Sequence, residues 1–241
     1  MSDLQLPARS RGTLGSSIIG GIIGSALTAA ALIFAAPHLI STRIVRDGLL
    51  TSPQILSEAA EALHNAQYQP VLAQNRAALE RPFASSWKGA AKPTVTLVEF
   101  YDYACPYCKA SNPIVDRLLQ EHADLRVVYR ELPILGPNSV TAARLSLQAS
   151  KAGRFAQFHD AQWAAGRPSA QTTSAAAQVA SIGPAPASDP QVEAELKQNY
   201  QLAGQLGATG TPVFIVGDRV MNGAVGYDML EAAIKAAREK A

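Results

Sequence analysis

The chain carries two cysteines, Cys105 and Cys108, three positions apart. With no other cysteine in the sequence there is no partner for a structural cross-link, so the pair is reactive, metal-binding or incidental. A structural zinc site needs four protein ligands. His122 lies at a finger-like distance from Cys108, but Arg126, Val127 and Val128 stand where the second histidine would fall. A covalently attached haem would need histidine directly after Cys108, and Lys109 is there. Redox chemistry is the favoured reading. Two cysteines at i and i+3 around a helix start face one side and can close a small ring. At a helix N-terminus the unpaired N–H groups and the dipole favour an anion, which marks Cys105 as the nucleophile. Cys108, one turn in, resolves the mixed disulfide. Pro106 suits the first helical turn, where its missing N–H is not needed.

The elements that must position this pair can be read around it. Thr94 to Tyr101 is a strand whose apolar residues Val95, Leu97, Val98 and Phe100 are too continuous for a half-exposed one, so it is covered on both faces. Cys105 follows four residues later, and Ile114, Leu118 and Leu119 then recur at helical spacing. Leu125 to Arg130 is the next strand, and the alanine-rich stretch from Ser139 to about Leu206 reads as several helices. Val213–Val216 and Arg219–Met221 are strands joined by Gly217-Asp218, a pair suited to a tight hairpin. Tyr227 to Glu239 closes the chain as a helix, with Leu230 and Ile234 on its buried face. The order strand, helix, strand, helical insert, hairpin, helix is an α/β layout on a small sheet.

The stretch Glu99-Phe100-Tyr101-Asp102-Tyr103-Ala104-Cys105-Pro106-Tyr107-Cys108-Lys109 resembles the active-site segment of the DsbA-like thiol–disulfide oxidoreductases of the thioredoxin superfamily. Gly210-Thr211-Pro212-Val213-Phe214 resembles the cis-proline loop of that family, and Glu131-Leu132-Pro133-Ile134-Leu135 with the helices after it resembles its sheet and helical insert. The resemblance spans about residues 90 to 240. It implies a thioredoxin-like fold with a helical insertion (about 137–207) inside a domain of residues 91–241. It implies that Pro212 is cis beside the two sulfurs and that the backbone of Thr211 pairs with a bound peptide. Glu99 matches the family's acidic residue in the first strand. Burial there should raise its pKa and let it exchange a proton with Cys108. Tyr107 departs from the pattern, since the strongest oxidants of the family carry histidine at this place. Reference potentials run from about −120 mV for DsbA to about −270 mV for thioredoxin, and Tyr107 argues against the oxidising extreme. His64, His122 and His159 read as ordinary histidines rather than catalytic groups.

Upstream of the domain, no charged residue occurs from Gly12 through Thr42. That run is long enough for a membrane helix, which needs roughly 20 mostly apolar residues. The sequence is therefore divided into a cytoplasmic N-terminus at 1–12, a transmembrane signal-anchor at 13–40, and a helical stalk and linker at 41–90. Arg9 and Arg11 favour the start remaining inside, although Arg43 and Arg46 lie on the far side. Phe34 and Pro37 fit a cleavage site poorly, which favours an uncleaved anchor over a signal peptide. Gly20 and Gly24 form a small-xxx-small pair that can bring two such helices together. In the stalk, Thr51-Ser52-Pro53 reads as a helix start with Ser52 or Thr51 as its cap, and Ile55, Leu56, Ala59, Ala60 and Leu63 fall on one face. Pro70 is expected to interrupt it, with a second short helix to Leu79 and a linker from Pro82 to Pro93. The stalk resembles, more weakly, the N-terminal extension of ScsC-like and Com1-like members, and an unpartnered apolar stripe makes residues 50–80 a candidate for homo-oligomer formation.

Composition agrees with a folded domain: 48% of the 241 residues are hydrophobic and 17% charged, which argues against a disordered chain. A formal charge of +2, with no basic tract and no Gly-rich phosphate loop, offers nothing to nucleic acid. The expectation is an extracytoplasmic thiol–disulfide oxidoreductase held at the inner membrane, with its domain in the periplasm. It would act on exported proteins with cysteines and exchange electrons with a membrane redox partner. Beyond the Cys105–Cys108 couple no cofactor or metal is implied. A disulfide isomerase or reductase of the ScsC-like kind is the alternative within the class, and Cu(I) held by two thiolates is the alternative outside it.

Overall fold

The computed structural model describes residues 44–183 and 189–240. The expected membrane segment at 13–40, with Gly20 and Gly24, lies outside them. Among the described residues no helix is long and apolar enough to cross a membrane. The chain divides into two compact units between Ala62 and Leu63.

In the first unit residues 44–51 form a helix, α1, and α2 (Gln54–Glu80) begins. Thr51 is not the cap of α2. It belongs to α1, where its hydroxyl donates to the Asp47 carbonyl at 2.6 Å. The carbonyl of Ser52 accepts from Ile55 N–H and opens the new helix.

The second unit holds the remainder of α2 and every other element: β1 (Trp87–Gly89), β2 (Val95–Tyr101), α3 (Pro106–Glu121), β3 (Leu125–Glu131), α4 (Pro137–Lys151), α5 (Phe155–Ala165), α6 (Ala170–Val179), α7 (Pro190–Gln205), β4 (Val213–Val216), β5 (Arg219–Asn222) and α8 (Tyr227–Arg238). The sheet order is β1-β3-β2-β4-β5, with β2 and β3 parallel and the other pairs antiparallel. A parallel pair needs a crossover, and α3 supplies it. The helix that carries the cysteines is thereby tied to the two central strands.

Alternation along β2 divides its side chains between the two faces. Leu97 and Tyr101 enter a core with Cys108, Val115 and Leu118 of α3, Leu230 and Ile234 of α8, and Phe155 and Phe158 of α5. Val98 and Phe100 enter a second core with Leu72 and Leu79 of α2 and Leu202 of α7. The strand is buried on both faces, as its unbroken apolar run requires.

Two expectations upstream are corrected. Pro70 does not break α2, which runs on to Glu80. Leu72 and Leu79 are buried against the sheet, and their packing holds the helix together across the missing hydrogen bond. Arg130 on β3 then closes that end, donating to the carbonyls of Ala78, Leu79 and Arg81 while pairing with Glu195 at 2.8 Å. The stretch from Pro82 to Pro93 is not a plain linker, because it contains β1. Three residues with a single large apolar side chain show no alternation to read. Pairing with β3 makes the strand, and Gly89 permits the close approach: its φ is +96° and a Cβ there would strike the Leu125 carbonyl. Residues 63–90, expected in a stalk and linker, thus lie in the same compact unit as the cysteines.

Candidate active site

Cys105 is the N-cap residue of α3, with extended backbone, and Pro106 follows at the first helical position. The loop from Asp102 delivers it there, because the Asp102 carbonyl accepts from Cys105 N–H at 2.9 Å. Cys108 stands one turn in. Cys105 is 5% exposed and Cys108 wholly buried, so Cys105 is the sulfur nearer the surface. Both are free thiols. Tyr107 between them points outward, 64% exposed.

From 106 positions away in sequence, the loop before β4 meets the pair. The Thr211–Pro212 bond is cis, and the Cys105 thiol donates to the Thr211 carbonyl at 3.3 Å. The Pro212 carbonyl accepts from Gly223 N–H at 2.8 Å, which fastens the loop to the start of the segment after β5. The cis bond expected at Pro212 is therefore present beside the cysteines.

Glu99 lies on the same face of β2 as Leu97 and Tyr101, the face on which Cys108 packs. It is buried, and neither carboxyl oxygen has a hydrogen-bond partner. Burial pushes its pKa up to about 8, against the partial relief of the Lys88 ammonium. Burial also pushes the Cys108 thiol up, and the charge of Glu99 adds to the effect. A carboxyl group that titrates near neutrality thus faces a thiol that gives up its proton reluctantly. Lys88, on β1, is anchored by Asp160 and lines a cavity of about 340 Å³ with Asp116, Tyr129, His159 and Trp163.

Other buried polar groups were not singled out by their sequence context. Asp102 accepts from Ala104 N–H at 2.8 Å and from Leu135 N–H at 2.9 Å. The first bond spans two residues, a turn habit of aspartate that the sequence does signal; the second joins distant segments and leaves no local trace. Glu131 bonds the Tyr101 hydroxyl, and burial raises its pKa to about 8. The Tyr101 hydroxyl lies 3.1 Å from that of Tyr103, which is also 3.1 Å from Nδ1 of His159. Nε2 of His159 accepts from the Trp163 indole at 3.2 Å, and burial holds the imidazole neutral, well below its ordinary range. His122 bonds Glu231 and Arg238. Both histidines are engaged away from the cysteines. Among the described residues no group of three or more His, Cys, Asp or Glu side chains is placed to hold a metal ion.

A dithiol at a helix start, a cis-proline loop against it and a buried acid behind it on a thioredoxin-like sheet define a thiol–disulfide exchange site. Residues 96–235 match the model of the DSBA-like thioredoxin domain, and the chain belongs to that family. Its fold is similar to a periplasmic thioredoxin-like protein of Salmonella enterica serovar Typhimurium, at 35% identity over 68% of this chain and 95% of that one, TM-score 0.63. It is similar to a linker-deleted ScsC of Proteus mirabilis, at 30% identity over 86% and 97% of the two chains, TM-score 0.67. The catalytic domain of the same ScsC matches at 29% identity over 70% and 98%, TM-score 0.65. A stretch of 75 residues is 36% identical to the Na(+)/H(+) antiporter NhaA 3 of Salinispora tropica, and the chain spans only 12% of that antiporter. The protein is a thiol–disulfide oxidoreductase of the DsbA and ScsC type.

Proposed function

We propose that the protein works outside the cytoplasm, anchored to the inner membrane by residues 13–40, and exchanges disulfides with the cysteines of exported proteins. The observation that carries the reading is the meeting of Cys105 at the start of α3 with the cis Thr211–Pro212 loop. In the reducing direction the Cys105 thiolate attacks a substrate disulfide, forming a mixed disulfide and releasing one substrate thiolate. Glu99 takes the proton of Cys108, whose thiolate then attacks the Cys105 sulfur and frees the second substrate thiolate. The enzyme ends oxidised and the substrate reduced by two electrons. Oxidation of a substrate dithiol runs the same steps backward, with Glu99 returning the proton to Cys108. Thr211, whose carbonyl now accepts from Cys105, offers its backbone to the substrate chain. The Cys105–Cys108 couple supplies the redox chemistry without a further cofactor, and a membrane partner restores its working state.

A second reading, that of an isomerase or reductase, is supported by two observations. Tyr107 stands where the most oxidising members of the family carry histidine, which argues for a less oxidising couple. In addition, Ile55, Leu56 and Leu63 are exposed on α2, which suits a chain that self-associates. An assembly holding several sites near one misfolded chain would raise their effective concentration. Titration of the couple against glutathione separates the readings. A potential near that of DsbA supports the oxidase, and one well below it supports the isomerase or reductase. A parallel copper titration with no uptake by the reduced protein removes the Cu(I) alternative.

A further inference from the structure

Behind the cysteine loop lies a ring of buried hydroxyl and carboxyl groups that the exchange chemistry does not use. Glu131, at the end of β3, bonds the hydroxyl of Tyr101, its neighbour at the end of β2. The Tyr101 and Tyr103 hydroxyls are 3.1 Å apart, and that of Tyr103 is 3.1 Å from the Ser146 hydroxyl on α4. The Ser146 hydroxyl in turn bonds the Glu131 carboxyl and closes the ring. All four side chains are buried. Tyr103 stands two residues before Cys105, so the ring ties the cysteine loop to the central strands and to the helical insert.

The hydrogens of this ring can be counted. The Trp163 indole donates to Nε2 of His159, so the single hydrogen of that neutral imidazole is on Nδ1 and goes to the Tyr103 oxygen. Four contacts remain round the ring, and the hydroxyls of Tyr101, Tyr103 and Ser146 bring three hydrogens to them. The fourth comes from Glu131 as the neutral acid, and then every group donates once and accepts once round the ring. A carboxylate brings none, and one contact is left as two oxygens facing each other without a hydrogen. The surrounding charges act in the same sense. Asp102, between the two tyrosines, opposes a second negative charge at Glu131, and Asp160 of α5 opposes one at Tyr103. Arg130, next to Glu131 in the chain, points to the other face of β3 and pairs with Glu195.

We propose that Glu131 is a positioning residue for the exchange reaction: as the neutral acid it closes the ring that holds the Cys105 loop against the sheet and the insert, and its ionisation opens the ring and loosens the loop. Cys105 draws its reactivity from its place at the start of α3, so a loosened loop leaves fewer chains poised to react. The inference rests on the exchange reaction and adds to it a second acid, which acts through Tyr101 and Tyr103 without touching substrate.

The test is the rate at which the reduced full chain exchanges with glutathione disulfide, taken for each variant as a ratio to the parent at the same pH, so that the titrations of Cys105 and Glu99 cancel. In Glu131→Gln the amide brings the fourth hydrogen at every pH. Its ratio should be near one at neutral pH and rise about fivefold in alkaline solution, above the value of about 8 at which burial lets the parent's acid ionise. Ser146→Ala removes one hydrogen and two contacts. The contacts that remain, Tyr103 to Tyr101 and Tyr101 to Glu131, are served by the two tyrosine hydrogens whatever the charge on Glu131. Its ratio should be about one-fifth at neutral pH and climb towards one in alkaline solution, where the parent loses a contact of its own. A role in folding alone would lower either ratio by the same factor at every pH. A ratio independent of pH in either variant therefore overturns the proposal, and Ser146→Ala decides alone if Glu131→Gln does not fold. A parent chain inert to glutathione disulfide would instead overturn the exchange reaction on which the inference rests.

Discussion

Glu99 is the residue whose surroundings say most about its chemistry. A carboxyl group with no partner for either oxygen is stable in a core mainly as the neutral acid, in keeping with a pKa near 8. Raising the pH through that value creates the carboxylate that the proposed relay to Cys108 requires. Resolution of the mixed disulfide should therefore accelerate with pH to an inflection near 8, the pKa that burial gives Glu99. Glu99→Gln keeps the shape and removes the base. We expect it to slow that step by about 100-fold near neutrality and to erase the inflection, read by stopped-flow quenching of the mixed disulfide. An inflection that survives in the glutamine variant would move the relay elsewhere. The cysteines and their spacing were legible from residue types alone, whereas the acid in the strand was marked by its resemblance to the family's active-site segment and by the apolar residues on either side of it. Asp102 was half legible: its bond to Ala104 is local, and its bond to Leu135 depends on where β3 ends.

Among the elements, α2 departs furthest from its sequence pattern. Its apolar face reads as a stripe in search of a partner, and the part bearing Leu72 and Leu79 finds one in its own sheet. Arg130 secures the junction by serving three carbonyls at the helix end while facing Glu195, with both side chains largely buried. Arg130→Met removes one partner of that buried pair and strands the carbonyls and Glu195 together. The expected loss is about 3–5 kcal/mol in urea unfolding, and Arg130→Lys should recover only part of it, since an ammonium cannot fork to several acceptors. A loss below 1 kcal/mol would mean that water reaches this end of the helix. Ile55, Leu56 and Leu63 stay exposed, and the proposed self-association would run through them. Sedimentation of a chain beginning at Ser41 should give a mass above the monomer. Serine at these three positions should return it to one chain, and equal masses would remove the assembly. A chain that began near Lys92 could not serve as the monomeric reference, because it would lack Leu72, Leu79 and β1 of the domain itself.

For the whole molecule, Glu99 and Glu131 make stability depend on pH. Both are buried, and burial raises each to about 8 from an ordinary value of 4.5. Between those limits the folded chain holds protons that the unfolded chain has lost, so stability must fall as pH rises. It is fully present below about pH 4.5 as far as these two groups are concerned, and lost through pH 8 as they ionise in the core. Scanning calorimetry should show Tm dropping by on the order of ten degrees between pH 6 and 9. Glu99→Gln should remove about half of that drop, and a flat profile would show that the two groups are hydrated.

The sequence by itself determined the exchange chemistry, the α/β order and the buried character of β2, because periodicity, helix-start signals and the cysteine spacing are all local. Only the tertiary structure decided three things. It drew residues 63–90 into the catalytic unit, made a strand of Trp87–Gly89, and set Asp102 between two loops. Each depends on a partner far along the chain: Leu72 on Phe100, Trp87 on Val128, Asp102 on Leu135. A short or proline-interrupted segment carries too little local preference to declare itself, and its state is set by what the sheet offers it to pack against.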